Sequence, residues 1–237
     1  MLQKHNTNKI IFLNIETVPQ YAKFEDMHEN KRELFIRRFK SDIKESWPNV
    51  PDGIPPEYAA KIYEHVYQEK AGLTSEFGKI ACISFLVITD VDKCEYQSLS
   101  IADSDEKKLI QTFLDKAVSI RDWPKIDADK KKSACSYSGF GFTWPYIAHR
   151  CLLNSIPIPP MFDYSEGKPW EQEHLISLMN VWNYNRSSSF TSLSTLAESF
   201  GVEHHDYPSQ VAGWYHASDF ESLKEYSKQT KLFLCYC

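Results

Sequence analysis

The sequence predicts an α/β protein: a mixed sheet with helices on both faces. Three observations predict it. A short, nearly unbroken apolar run at 9–16 reads as a buried strand. Strand-like patterns at 79–90 and 93–101 follow one another without a helix between them. Beyond them a strand pattern at 133–138 is interleaved with helical patterns, the order that produces layered α/β folds.

Taken in order, the strand at 9–16 is followed at 20–75 by a change of character. This stretch is charged, carries Leu34, Phe35, Phe39 and Ile43 at helical spacing, and has a Pro-rich break at 48–56. It predicts a helical insertion with helices near 25–46 and 56–70. Its Lys31-Arg32 and Arg37-Arg38 pairs are candidate phosphate contacts, or a solvated helix face. A helix is expected at 105–120. Lys130-Lys131-Lys132 forms a polar turn before the 133–138 strand, and Pro145 sits near the start of a helix running to about 154. Further helices are expected at 171–183, 191–200 and 218–236, the last opening with Ser218-Asp219-Phe220-Glu221, a capping-box pattern. The whole of 1–237 reads as one domain carrying the insertion at 20–75.

Composition bounds the function. Apolar residues at 42% and charged residues at 25% are those of a soluble globular chain. No apolar run approaches the roughly 20 residues that span a bilayer, so no membrane partner is expected. The apolar run near the N-terminus reads as a strand rather than a leader. A net charge of −5 gives no global basic signature, which leaves a local basic groove possible. The six cysteines (82, 94, 135, 151, 235 and 237) form no CxxC pair, which argues against structural zinc and for free thiols in a reduced, cytoplasmic setting.

Residues 12–19 read Phe-Leu-Asn-Ile-Glu-Thr-Val-Pro and 76–84 read Glu-Phe-Gly-Lys-Ile-Ala-Cys-Ile-Ser. Then come Phe142-Thr143-Trp144-Pro145-Tyr146, Lys168-Pro169-Trp170-Glu171, Phe190-Thr191-Ser192-Leu193 and Tyr226-Ser227-Lys228-Gln229-Thr230. In this order and spacing the motifs resemble the predicted 3′-5′ exonucleases related to the proofreading domain of family B DNA polymerases, in the RNase H-like DEDD superfamily. The resemblance implies an RNase H-like mixed sheet, Mg²⁺ or Mn²⁺ as cofactor, and nucleic acid as substrate. It implies four metal-binding carboxylates: Asp and Glu on the first strand, Asp at the start of a helix, and Asp on the last helix. A Tyr four residues before the last Asp shares its helix face and positions water.

Such enzymes hydrolyse a phosphodiester with two metal ions about 4 Å apart. Of the four carboxylates the resemblance implies, this chain keeps one, Glu16; Asn14, Thr143 and Thr230 stand at the other three positions, and Tyr226 is retained. One carboxylate does not neutralise two divalent ions, so tight metal binding is not expected, and the chain reads as an impaired or inactive member. Ser138 stands where the family tends to have Asn, Ser194 where Asp is common, and Ser177 is a further candidate lost Asp. Tyr137, Ser138 and Phe140 are the candidate nucleic-acid contacts; Phe142 and Trp144 are better read as buried. Thr143 alternatively serves as a helix N-cap, and Tyr226 as a structural tyrosine.

Three hypotheses remain. The first is a degenerate exonuclease that binds single-stranded nucleic acid or a protein. The second is an active nuclease recruiting Asp163, Asp206 or Asp219. The third is an interaction module without a nucleic-acid groove. His204-His205-Asp206 reads as a loop before it reads as a metal site, and His149 and His174 as structural residues on helices.

Overall fold

The computed structural model describes residues 9–46, 55–90, 92–93, 95–119, 133–162, 174–184, 190–202 and 208–234. Within the helices, the side chains of 56–57, 118–119, 208 and 229–234 lie outside the description. The chain divides into two compact units, Met1–Glu16 with Ile80–Cys237, and Thr17–Lys79.

The first unit is built on a five-stranded sheet of order β3-β2-β1-β4-β5. The strands are β1 (Ile10–Pro19), β2 (Gly78–Asp90), β3 (Glu95–Ala102), β4 (Ser133–Ser136) and β5 (Leu175–Ser177). β2 and β3 pair antiparallel, with Phe85 opposite Leu99. β4 runs parallel to β1, with Ile10 opposite Ser133 and Phe12 opposite Cys135. β5 runs parallel to β4, with Cys135 opposite Ile176. The sheet is therefore mixed, as expected from the sequence.

Side chains alternate across a strand, and β1 shows what each face meets. Ile11, Leu13 and Ile15 join Phe113 of α4 (Glu106–Ser119) and Trp144 and Ile147 of α5 (Trp144–Leu153) in the main core. Ile10 and Phe12 face the other way, with Leu86, Cys135 and Ile176, toward Leu178 of α6 (Leu178–Trp182) and Leu193 of α7 (Leu193–Ser199). Asn14 and Glu16 continue this second face. Burial on both faces explains why β1 reads as a continuous apolar run.

The second unit carries α1 (Glu29–Arg38), α2 (Lys40–Glu45) and α3 (Pro56–Lys70). Its core is aromatic. The fully buried Phe35 ring is met by Phe24, Phe39, Tyr67 and Phe77, with centroids 4.6–5.7 Å away. The helix expected at 25–46 is broken: a 3₁₀ turn occupies Phe24–Asp26, and α1 ends at Phe39, whose φ of −105° and ψ of 26° depart from helical values. The break turns both Phe39 and Ile43 into the core.

Other expectations are corrected. Residues 175–177 form β5 and not part of a helix, because a short apolar run fits a buried strand as well as a helix. Residues Pro208–His216 form α8, which the sequence reading left without an element. The final helix, α9 (Phe220–Leu234), is capped by Asp219, not Ser218: Asp219 Oδ1 accepts from the Ser222 amide at 3.1 Å, and Ser218 sits at φ 58°. The Lys130-Lys131-Lys132 turn lies outside the described residues.

Candidate functional site

β1 puts Asn14 and Glu16 side by side, because residues two apart on a strand share a face. Both are half-buried. Asn14 Nδ2 donates to Glu16 Oε1 at 2.7 Å and reaches Ser227 Oγ at 3.4 Å. Ser227, fully buried on α9, brings that helix against this part of the strand. An ionised carboxylate only accepts, so the nitrogen end of the amide faces Glu16. The Asn14 amide thus places partial positive charge beside this carboxylate.

This donor set does not fit the two divalent ions that the sequence resemblance implies. A protonated amide nitrogen is not a metal ligand, and one carboxylate does not balance two such ions. Among the described residues no three His, Cys, Asp or Glu side chains gather into a metal site.

The second predicted motif follows β4. Because β4 is parallel to β1 and Cys135 lies opposite Phe12, the end of β4 lies beside the Asn14 region of β1. The chain then makes a wide π-helical turn at Gly139–Thr143, in which the Thr143 amide donates to the Ser138 carbonyl at 3.0 Å. This turn folds Thr143 back onto the strand, where its hydroxyl pairs with Ser136 Oγ at 2.7 Å. Thr143 is only 3% exposed. It makes no side-chain cap and has helical dihedrals, so the N-cap role read from the sequence is replaced by a buried hydroxyl pair. Ser136 shares the face of Ala134, toward α5, whereas Asn14 and Glu16 stand on the opposite face.

The aromatic residues around this turn divide sharply. Trp144 is fully buried and stacks on Phe162 at 5.5 Å, with its indole N–H finding no acceptor among the described residues. Phe142 packs beside Tyr146 at 5.1 Å. Tyr137 is half-buried; its hydroxyl donates to the Thr191 carbonyl, and its own carbonyl accepts from Ser177 Oγ at 3.1 Å. Ser138 is half-buried, and Phe140 is 38% exposed. Of the predicted contacts, Phe140 therefore presents the most open ring.

On α9, Tyr226 is 9% exposed and its ring lies 5.6 Å from that of Trp214. Thr230 lies on the same helix, but its side chain is outside the described residues. Asp219, one of the three carboxylates proposed for recruitment, is spent on capping. Bonds from the Ser222 hydroxyl and amide hold its carboxyl below the usual range. Asp163, Asp206, His204 and His205 lie outside the described residues. His149 is exposed on α5; His174 precedes β5, not on a helix, with Nε2 3.2 Å from the Met161 carbonyl. The structure thus unites Asn14, Glu16 and Ser227, and separately Ser136 and Thr143. The two serines were missed by the sequence reading, although Ser227 lies within the Tyr226 motif and Ser136 ends the expected strand.

Behind the site, a buried ion pair ties three elements of the sheet unit. Glu106, at the start of α4, accepts from Arg150 Nε at 2.8 Å, from Arg150 Nη2 at 2.5 Å and from Asn154 at 2.9 Å. It also accepts the Ile80 amide of β2 at 2.7 Å. Burial, and secondarily the Glu106 charge, push the Cys151 thiol up to about 11.

The sequence model of the RNase_H superfamily matches residues 68–231. The fold is similar to that of the family B DNA polymerase from the hyperthermophilic archaeon Pyrobaculum calidifontis, at 12% identity and a TM-score of 0.50. That match covers 96% of this chain and 24% of the polymerase, so the chain spans about a quarter of the polymerase's length. A search of the curated proteins finds no match. Among the described residues no helix is long and apolar enough to cross a membrane.

Proposed function

Because the chain belongs to the RNase_H superfamily, we propose that it is a 3′-5′ exonuclease-type domain that holds single-stranded nucleic acid without hydrolysing it. The observation that carries this reading is the Asn14 amide donating to Glu16. A nuclease centre needs its carboxylates free to bind cations. Here the surviving carboxylate is hydrogen-bonded to a neutral amide, and the Thr143 hydroxyl is buried against Ser136. Removing carboxylates also lessens repulsion of a phosphate backbone, so binding without hydrolysis is physically coherent. The exposed Phe140 ring supplies a stacking surface beside the second motif.

The Thr17–Lys79 unit is read as an insertion within one RNase H-like domain. The buried free thiols Cys82, Cys135 and Cys151 are in keeping with a reduced, cytoplasmic setting.

The test is incubation of the purified chain with a 5′-labelled single strand and Mn²⁺, alongside fluorescence anisotropy at low and physiological salt. The expected result is an intact strand that is bound more weakly as salt rises. Chelator-sensitive shortening of the 3′ end overturns the inactive reading. Absence of binding at low salt overturns the nucleic-acid role.

A further inference from the structure

The helical unit holds a cleft of its own, of about 850 Å³, which the function proposed above does not use. One wall is Lys23 and Arg32; the other is α3, which contributes Lys61 and Tyr63. We propose that this cleft binds a nucleotide, with the phosphate on Arg32 and Lys61 and the base against the Tyr63 ring. The inference does not rest on the state of the β1–α9 site.

The argument starts from which charges are already committed. Two carboxylates line the cleft, Glu25 and Glu64. Glu64 accepts from the Phe24 amide at 2.7 Å and from Gln68 Nε2 at 2.8 Å. Glu25 pairs with Lys23 at 3.6 Å. The Phe24–Glu64 bond, with Gln68 Nε2 donating to the Ala22 carbonyl at 2.7 Å, pins the 3₁₀ turn at Phe24–Asp26 to α3, so the two walls are held in place before any ligand arrives. The cleft lining carries three cationic side chains, Lys23, Arg32 and Lys61, against these two carboxylates. Lys61 is exposed, and among the described residues Arg32 gives one guanidinium nitrogen, to the Glu25 carbonyl at 3.3 Å. A guanidinium with free donors is well suited to phosphate oxygens.

The apolar part of the cleft suits a planar ring. Tyr63 is half-buried, with its ring centroid 5.5 Å from Phe24 beneath it. Ala59 and Ala60 leave the neighbouring stretch of α3 without bulk. The adjacent Lys31, by contrast, is withdrawn: it donates to Gln20 and lies 5.8 Å from the Tyr21 ring. Of the Lys31-Arg32 pair, then, only the second residue faces the cleft.

A base on an aromatic ring with its phosphate on two cations describes a free nucleotide and a nucleotide within a single strand equally well. The test uses the full chain with two probes, fluorescent ATP and a fluorescein-labelled dT12. The double variant Arg32→Ala/Lys61→Ala and the variant Tyr63→Leu are compared with Phe140→Ala. The expected result is that both cleft changes weaken binding of a probe at least tenfold. Phe140→Ala leaves ATP binding unchanged, which separates this cleft from the β4–α5 turn. Loss with ATP alone assigns a free nucleotide; loss with dT12 alone, or with both, assigns a strand. The double variant replaces side chains at the protein surface, and an unchanged melting temperature checks that it is folded. Unaltered binding of both probes in both cleft variants, or no binding by the parent chain at low salt, overturns the proposal.

Discussion

Replacing Asn14 by Asp tests the interaction at the centre of the site. The amide nitrogen lies 2.7 Å from Glu16 Oε1, and the substitution puts an oxygen there. A hydrogen bond to a charged group, worth about 1.5–3 kcal/mol, is lost. Two carboxylates about 4 Å apart at an effective dielectric of about 20 repel by about 4 kcal/mol, and the half-exposed position screens part of this. We expect a net destabilisation of about 2–4 kcal/mol at neutral pH. The pH dependence has a definite sign. The folded variant retains a proton on the carboxyl pair more strongly than the unfolded chain does, so its stability is full below the unfolded carboxyl range and is lost as pH rises. Urea denaturation at pH 4 and pH 7.5 should show parent and variant close at the lower pH and separated at the higher. Adding Mn²⁺ at pH 7.5 should restore the variant and leave the parent unchanged. Equal stability at pH 7.5 would refute the Asn14–Glu16 contact. Equal stabilisation of both proteins by Mn²⁺ would refute the view that the amide stands in for a cation.

Among the described residues, Arg150→Met leaves the buried Glu106 with the Ile80 amide and Asn154 as partners. Breaking a buried pair costs about 3–5 kcal/mol, seen as a melting temperature lower by roughly 10 °C for a chain of this size. Gly139→Ala places a Cβ 2.4 Å from Trp144 Nε1, and that indole is fully buried against Phe162 and cannot retreat. A loss of about 1–3 kcal/mol is expected in urea denaturation, and full stability would contradict the turn geometry. Burial raises the Tyr67 hydroxyl to about 12. The unfolded chain therefore ionises first, and stability should fall as pH rises from about 10. Tyr67→Phe should flatten that alkaline decline in a pH series of melting curves.

The sheet was legible because its strands carry their signal locally. The run at 9–16 is apolar on both faces, since α4 and α5 cover one face and α6 and α7 the other. The pairing of 79–90 with 93–101 follows from their closeness in sequence. The short strand at 175–177 carried no such signal. Three residues do not establish a period, and only a place beside β4 makes them a strand. The break at Phe39 was equally hidden, because the demand that both Phe39 and Ile43 reach one aromatic core is a tertiary one.

The candidate site divides along the same line. Sequence alone determined which residue types stand at the motif positions: one carboxylate at Glu16, an amide at Asn14, hydroxyls at Thr143 and Thr230. It therefore determined the charge available to a cation. Where the remaining polar groups direct their hydrogen bonds was decided by tertiary structure. Thr143 reads locally as a helix cap, but the π-helical turn carries it onto Ser136 and buries it. Asn14 stands on the first strand where the resemblance implies a metal-binding Asp, but its amide donates to Glu16, and α9 brings Ser227 beside it. The physical reason is that a polar group leaving water must find a partner; for Thr143 and for the second donor contact of Asn14, that partner lies on another segment of the chain, which only folding brings within reach.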